Sequence, residues 1–418
     1  MTRMPKYCII YIIIRFLKEK EYMIDYSKVV SQVATAIKPS GIRKFFDLTS
    51  TMKDVISLGV GEPDFMTPDF IREIGAKSII EGKTKYTMNI GNKDLRDEVC
   101  RYMDRKYGLS YDADTNVLIT VGGSEAVDMS LRALITPGDE IIIPTPGYVC
   151  YEPLTRIAGG TPVFITTKAE EGFKIKPDAL RAAITDKTKA ILFSYPTNPT
   201  GGVMEREDYE ALVPVLKDTN IVLISDEIYA ELTFTGKRHV SPAAIEELYE
   251  RTIVINGFSK AFSMTGWRLG YACAPEPIMT QIKKIHQYAV MSASTTAQIA
   301  GLAALRDADE DTERMRLEYD RRRKLLLDGY KKLGLECEEP LGTFYSFPSI
   351  KSTGLTSQEF CERLLESKRV AVIPGDAFGD AGEGYIRVSY CYSYEHIEEA
   401  LRRIGEFLEE LRAEKESK

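Results

Sequence analysis

Between residues 115 and 275 the chain alternates short apolar, β-branched runs with stretches of helical periodicity. The runs Val117–Val121, Glu140–Pro144, Pro162–Thr166, Ala190–Tyr195, Ile221–Ser225, Thr252–Asn256 and Arg268–Cys273 predict seven strands. Most are continuous apolar runs rather than alternating ones, the pattern of a sheet covered on both faces. Helices between the strands imply crossover connections and a largely parallel sheet, an α/β fold. Beyond residue 300 the pattern changes. Residues 311–333 predict a long charged helix that stops at Gly334. Ile397, Leu401, Ile404, Leu408 and Leu411 fall on one stripe of a final helix. Between these helices lie short strand candidates, Gly342–Phe347 and Tyr385–Tyr390, so this part reads as a smaller α+β domain. The expected division is an extension at 1–22 and an N-terminal segment at 23–60 that joins the small domain. A large domain at 61–300 and a C-terminal small domain at 301–418 follow.

The bulk numbers narrow the field without deciding it. At 418 residues one large and one smaller core are expected. A net charge of −7 gives no reason to expect nucleic acid as a partner. The run Arg321-Arg322-Arg323-Lys324 reads as a solvated helix face. Seven cysteines without a Cys-x-x-Cys pair argue against zinc and against a disulfide framework, and fit a reducing cytoplasm. His239, His286 and His396 lie in no motif, so no metal site is expected. The apolar run from Cys8 to Ile14 is far short of a membrane span, and Lys18-Glu19-Lys20-Glu21 follows it in place of a cleavage site. Met23 opens a stretch that reads like a natural start, which leaves 1–22 outside the expected fold.

Several segments carry candidate chemistry. Lys260 lies in Gly257-Phe258-Ser259-Lys260-Ala261-Phe262-Ser263-Met264-Thr265-Gly266-Trp267-Arg268. A lysine among small and apolar residues, with an arginine eight positions on, suits a buried amine that condenses with an aldehyde while its neighbours hold a phosphate. Gly122-Gly123-Ser124-Glu125-Ala126 follows a strand and opens an apolar helix, where backbone N–H groups can meet an anion. The same residues also suit an ordinary capped turn. Ser225-Asp226-Glu227-Ile228-Tyr229 ends a strand, where open α/β sheets place ligands. A buried Asp226 needs a partner, although a helix cap with a core tyrosine would look alike. Gly59-Val60-Gly61-Glu62-Pro63-Asp64-Phe65 lacks the later glycines of a dinucleotide fingerprint.

Taken in order, these segments resemble the pyridoxal-phosphate-dependent aminotransferases of fold type I, class I/II, the branch acting on aspartate or aromatic amino acids. The resemblance covers roughly residues 35–395. It implies a large domain with a seven-stranded, mostly parallel sheet between helices, and a smaller α+β domain from the N- and C-terminal segments. The implied cofactor is pyridoxal 5′-phosphate. Lys260 would carry it, with Gly123, Ser124, Glu125, Ser259 and Arg268 at its phosphate. Asp226 would face the pyridine nitrogen and keep the ring cationic. Tyr229 and Asn198, the latter in Asn198-Pro199-Thr200-Gly201, would bond the ring oxygen. Tyr148, in Pro144-Thr145-Pro146-Gly147-Tyr148, would stack on the ring. Gly61, Asn198 and Arg387 would bind substrate, Arg387 forking onto the α-carboxylate. Tyr86 would reach the phosphate in a neighbouring subunit, which implies a homodimer with shared active sites. Viewed singly, Tyr148 reads as a packed loop aromatic and Arg387 as an edge-strand charge.

The implied reaction moves the amino group of an L-amino acid, aspartate first, to a 2-oxo acid such as 2-oxoglutarate, with the freed Lys260 amine as general base. Aromatic or broad-range transfer, or a β-lyase or synthase reaction on the same fold, stand as alternatives. A transcription regulator would need a DNA-binding module, and no helix-turn-helix pattern precedes the match. An inactive binding protein is disfavoured by the presence of Lys260, Asp226 and Arg387. The segment from Lys38 to Phe46 resembles a region that closes the site in some relatives. Arg43 is its candidate for reading a second carboxylate, although Arg43-Lys44 also reads as a solvated basic pair.

Overall fold

The computed structural model describes residues 24–39 and 52–416, in two compact units divided after Lys38. In the first, Tyr26–Val29 and Gln32–Ala36 form two short helices. Asp25 caps the former by accepting from the Ser27 amide at 3.1 Å. The expectations for residues 1–22 and for Arg43 lie outside the described residues.

In the second unit the strands are β1 (Ile56–Ser57), β2 (Val117–Thr120), β3 (Glu140–Thr145), β4 (Thr161–Thr166), β5 (Thr188–Ser194) and β6 (Val222–Asp226). They continue with β7 (Thr252–Gly257), β8 (Gly270–Cys273), β9 (Tyr345–Ser346), β10 (Val370–Ala371), β11 (Ile373–Pro374) and β12 (Ile386–Ser389). The seven-stranded sheet runs β2-β8-β7-β6-β5-β3-β4. Only β8 is antiparallel to its neighbours, β2 and β7. The seven expected strands are all present, displaced by at most two residues at their ends.

Successive residues of one strand feed opposite faces. Ile253 and Ile255 of β7 pack with the helices Gly123–Leu134, Tyr151–Ile157 and Glu276–Ala289. Val254 between them packs with Asp69–Ile80, Lys93–Tyr107 and Thr295–Asp307. Each such fully buried side chain contributes about 2 kcal/mol, which is why these strands carry almost no polar residue until their ends. Because β2, β3, β5, β6 and β7 are mutually parallel, their C-terminal ends share one edge.

A separate apolar cluster joins the helix Asp309–Leu333 to Tyr394–Glu416, whose stripe from Ile397 to Leu411 is buried as the spacing predicts. Gly334 closes the former at φ 74°. The three-stranded sheet β11-β12-β9 packs here. β1 pairs in parallel with β10, so chain near residue 56 is tied to chain near 370. The boundary expected at residue 300 falls inside the helix Thr295–Asp307.

One surface expectation needs correction. Arg322 and Arg323 are buried, each only 5% exposed. Arg322 donates to Asp64 and Glu318, both at 2.9 Å, and Arg323 donates to Asp320 at 2.8 Å and to Glu339. Four consecutive residues are spread around about 300° of the helix, so on a helix with one face packed against the core a run of four cations cannot all face water.

Candidate active site

The shared edge of parallel strand ends opens on a cavity of about 760 Å³. After β2 the chain turns through Gly122 at φ 79° into the helix Gly123–Leu134. A Cβ on Gly122 would lie 2.7 Å from Arg268 Nη2, and one on Gly270 would lie 2.9 Å from the Gly123 nitrogen. Only glycine permits this approach, which gathers the guanidinium and a helix N-terminus at one pole of the cavity. Arg268, at φ 52°, is held there by donating from Nη1 to the Thr265 carbonyl at 3.1 Å. Gly123, Ser124, Ser259 and Arg268 all line this pole.

At the centre lies Lys260, just past the end of β7. Its Nζ donates to the Gly61 carbonyl at 2.8 Å. Burial lowers its pKa to about 8, helped by Arg387 and Arg268 and opposed by Cys391 and Glu62. Asp226, the last residue of β6, presents its carboxylate to the same space. Oδ1 accepts from the Ile228 amide at 3.2 Å and Oδ2 from the Tyr151 hydroxyl at 2.8 Å. Burial raises its pKa to about 6 despite these two bonds and the cation of Lys260. Glu227 points away, into a buried network with Ser225, Ser241 and His239. Adjacent carboxylates thus serve opposite faces, as alternation at a strand end requires.

The far wall comes from chain remote in sequence. Arg387 on β12 is 3% exposed. It donates from Nη1 to Asn198 Oδ1 at 2.9 Å and from Nη2 to the Gly59 carbonyl at 2.6 Å. The Tyr345 ring lies 4.3 Å and the Phe378 ring 4.8 Å from the guanidinium carbon. Arg387 Nε is buried without a partner among the described residues, an orphaned donor that an incoming carboxylate would satisfy. Tyr345 Oη lies 3.1 Å from Tyr229 Oη. A Cβ at Gly61 would fall 1.8 Å from Tyr345 Oη, so position 61 admits only glycine while Tyr345 stays in place.

Of the residues expected at the site, Gly61, Gly123, Ser124, Tyr148, Asn198, Asp226, Tyr229, Ser259, Lys260, Arg268 and Arg387 line this one cavity. Glu125 does not. Its carboxylate turns back to accept from the Val121 amide and lies 2.6 Å from His286 Nδ1, which fixes the start of the helix instead of facing a ligand. Tyr86 is 83% exposed and lies off the cavity wall of its own chain. Sequence reasoning passed over Tyr151 and Tyr345. The first stands three positions after Tyr148, and that spacing was its available signal. The second gave no local signal, since its role depends on Gly61 and Arg387.

This donor set fits pyridoxal 5′-phosphate. A basic, glycine-walled pole suits the phosphate, a buried carboxylate the ring nitrogen, a tyrosine and an asparagine the ring oxygen, and an amine of lowered pKa the aldehyde. Among the described residues there is no group of three or more His, Cys, Asp or Glu side chains that could hold a metal ion, and no helix is long and apolar enough to cross a membrane.

Comparison with known proteins agrees with this reading. Residues 53–404 match the family model for aminotransferase class I and II. YugH of Bacillus subtilis (strain 168), named as an aminotransferase, is 49% identical over 379 residues, covering 91% of this chain and 98% of its own. An aspartate aminotransferase of Pyrococcus abyssi is 43% identical over 376 residues, covering 90% and 97%. The crystal structure of an aromatic aminotransferase from Pyrococcus horikoshii OT3 superposes with a TM-score of 0.84 at 42% identity, covering 88% of this chain and 99% of that one. The chain therefore belongs to the class I and II aminotransferases, enzymes that depend on pyridoxal 5′-phosphate.

Proposed function

We propose that this aminotransferase carries nitrogen from an L-amino acid, with aspartate as first choice, to a 2-oxo acid such as 2-oxoglutarate. The observation that carries the proposal is the position of Lys260, whose half-buried side chain lies between the anion pole at Arg268 and the carboxylate fork at Arg387. A pKa of about 8 leaves about a quarter of such amines neutral at pH 7.5, against about 0.1% for an ordinary lysine. Nucleophilic attack and proton abstraction both need that neutral form.

When bound, the cofactor supplies an aldehyde that takes up the amino group and a cationic ring that accepts the electron pair left on Cα. The protein's residues do the rest. Gly123, Ser124, Ser259 and Arg268 anchor the phosphate. Asp226 holds a proton on the ring nitrogen, and Tyr229 and Asn198 donate to the ring oxygen. Arg387 grips the α-carboxylate and thereby presents the Cα–H bond to Lys260 Nζ, which removes that proton as general base.

A second donor class has its own support. Among the described residues the cations on the cavity wall are Lys260, Arg268 and Arg387, each already matched to a group. Tyr148, Tyr345, Val60 and Val149 supply apolar surface that suits an aromatic donor. Transfer of ¹⁵N to 2-oxoglutarate from labelled aspartate or labelled phenylalanine, each supplied alone, decides between them. Label from phenylalanine only would overturn the first choice, and label from neither would remove 2-oxoglutarate as acceptor.

The proposed assembly is a homodimer in a reducing cytoplasm. Ile79, Ile80, Tyr86, Met88, Tyr288 and Met291 are exposed apolar side chains on two neighbouring segments. Asn89 Nδ2 donates to the Met291 carbonyl at 2.9 Å, and the Thr295 hydroxyl to the Lys85 carbonyl at 2.6 Å. Such a patch marks an association surface, and pairing there would bury Tyr86, the residue implied to serve a neighbouring site. Sedimentation of the purified protein at twice the monomer mass supports this assembly, and a monomer active at the same concentration rules it out.

A further inference from the structure

Asp226 has two carboxylate oxygens, and the structure shows what holds each. Oδ1 is bonded to a backbone amide that any residue at position 228 other than proline would supply. Oδ2 is bonded to a side chain that no motif requires, the hydroxyl of Tyr151 at 2.8 Å. Tyr151 is 1% exposed and lines the cavity at the start of the helix Tyr151–Ile157. Its ring packs edge-on against Tyr148 at 5.6 Å between centroids. Thus one tyrosine touches both the charge partner of the ring nitrogen and the side chain that flanks the ring.

We propose that Tyr151 is a positioning residue for the cofactor, donating to Asp226 so that this buried carboxylate stays ionised and aimed at the pyridine nitrogen. The proposal rests on the aminotransferase reading of the site. The need for such a donor follows from burial, because a carboxylate removed from water favours its proton unless donors replace the lost hydration. The charged and titratable groups facing Asp226 are Lys260 beyond β7, Glu227 beside it, and Tyr148, Cys150 and Tyr151 at the start of the helix. Burial keeps Tyr148, Cys150 and Tyr151 neutral, and Glu227 opposes the negative charge on Asp226. That leaves Lys260, the Ile228 amide and Tyr151 to favour the ionised form, and Lys260 is also needed elsewhere in the cycle.

Tyr151→Phe removes the donor and keeps the ring. The test measures affinity of the cofactor-free full-length protein for pyridoxamine 5′-phosphate from pH 5 to 8.5, read by fluorescence of Trp267, the one tryptophan in the chain. Affinity should fall on the acid side as Asp226 takes up a proton, and in Tyr151→Phe this fall should begin about one pH unit higher. Affinity at pH 8 should stay within about threefold of the parent. The ligand's own phosphate titration is common to both proteins and cancels. In an Asp226→Asn background the further change Tyr151→Phe should move nothing. An unmoved acid limb, or a loss of affinity equal at every pH, would overturn the proposal by reducing Tyr151 to packing. Failure of the parent protein to bind pyridoxamine 5′-phosphate at all would instead overturn the cofactor reading.

Discussion

The two walls of the cavity are built differently. The sheet-side wall is a row of strand ends, in which Gly123, Asp226 and Lys260 each sit within a few residues of a strand that fixes them. The opposite wall is assembled from Gly59–Glu62, Tyr345 and Arg387, segments up to 328 residues apart that meet only after folding. In the function proposed above, the first wall holds the cofactor and the second meets the substrate. Cofactor chemistry is thus carried by local motifs, and substrate contact by tertiary contacts.

Substitutions on each wall should separate along this line. The largest effect is expected on the sheet side, where Lys260→Ala should lower turnover by at least about 10⁴-fold, measured by single-turnover kinetics. Its melting temperature should hold or rise, because a buried, partly charged amine is removed. Unaltered turnover would take the general base away from Lys260. On the opposite wall Arg387→Ala should weaken carboxylate binding by about 10²- to 10³-fold, seen in KM more than in cofactor affinity. A matching loss of cofactor affinity would show that the two walls are not separate.

Gly61→Ala probes the contact that shapes the substrate wall. Its new Cβ would fall 1.8 Å from Tyr345 Oη, so KM should rise by roughly tenfold or more. Adding Tyr345→Phe removes the clashing oxygen and should restore part of that loss, as a steady-state double-mutant cycle would report. Simple additivity would mean that Tyr345 does not occupy that space.

A smaller and opposite effect is expected for stability. Burial raises the Asp226 pKa in the folded protein from 3.8 to about 6, so the folded state binds more protons than the unfolded state between those values. Stability of the cofactor-free protein should therefore fall as pH rises through that window, by at most about 3 kcal/mol. Asp226→Asn should abolish this slope in urea unfolding, while its cofactor affinity drops. A slope that persists in Asp226→Asn would assign it to other groups.

The same contrast explains what the sequence could reveal. Most strands of the large sheet were legible because a strand covered on both faces reads as a short continuous apolar run bounded by helical stretches. Lys260, Asp226 and Asn198 were legible because a strand end fixes where its next residues point. Glu125 misled because its motif is a backbone device. The glycines make the helix N-terminus available, and the side chain is spent on Val121 and His286. Arg322 and Arg323 misled because a run of like charges says nothing about Asp64 and Glu339 waiting on other segments. Tyr345 was silent because its partners lie at positions 61, 229 and 387.

The most direct test of the account is the absorbance of purified protein mixed with one amino acid and no 2-oxo acid. Transfer across the two walls should exchange the long-wavelength band of the aldehyde form for the shorter-wavelength band of the amine form, and release one 2-oxo acid per cavity. A band that returns unchanged while ammonia accumulates would contradict transamination and show that the same cavity performs elimination.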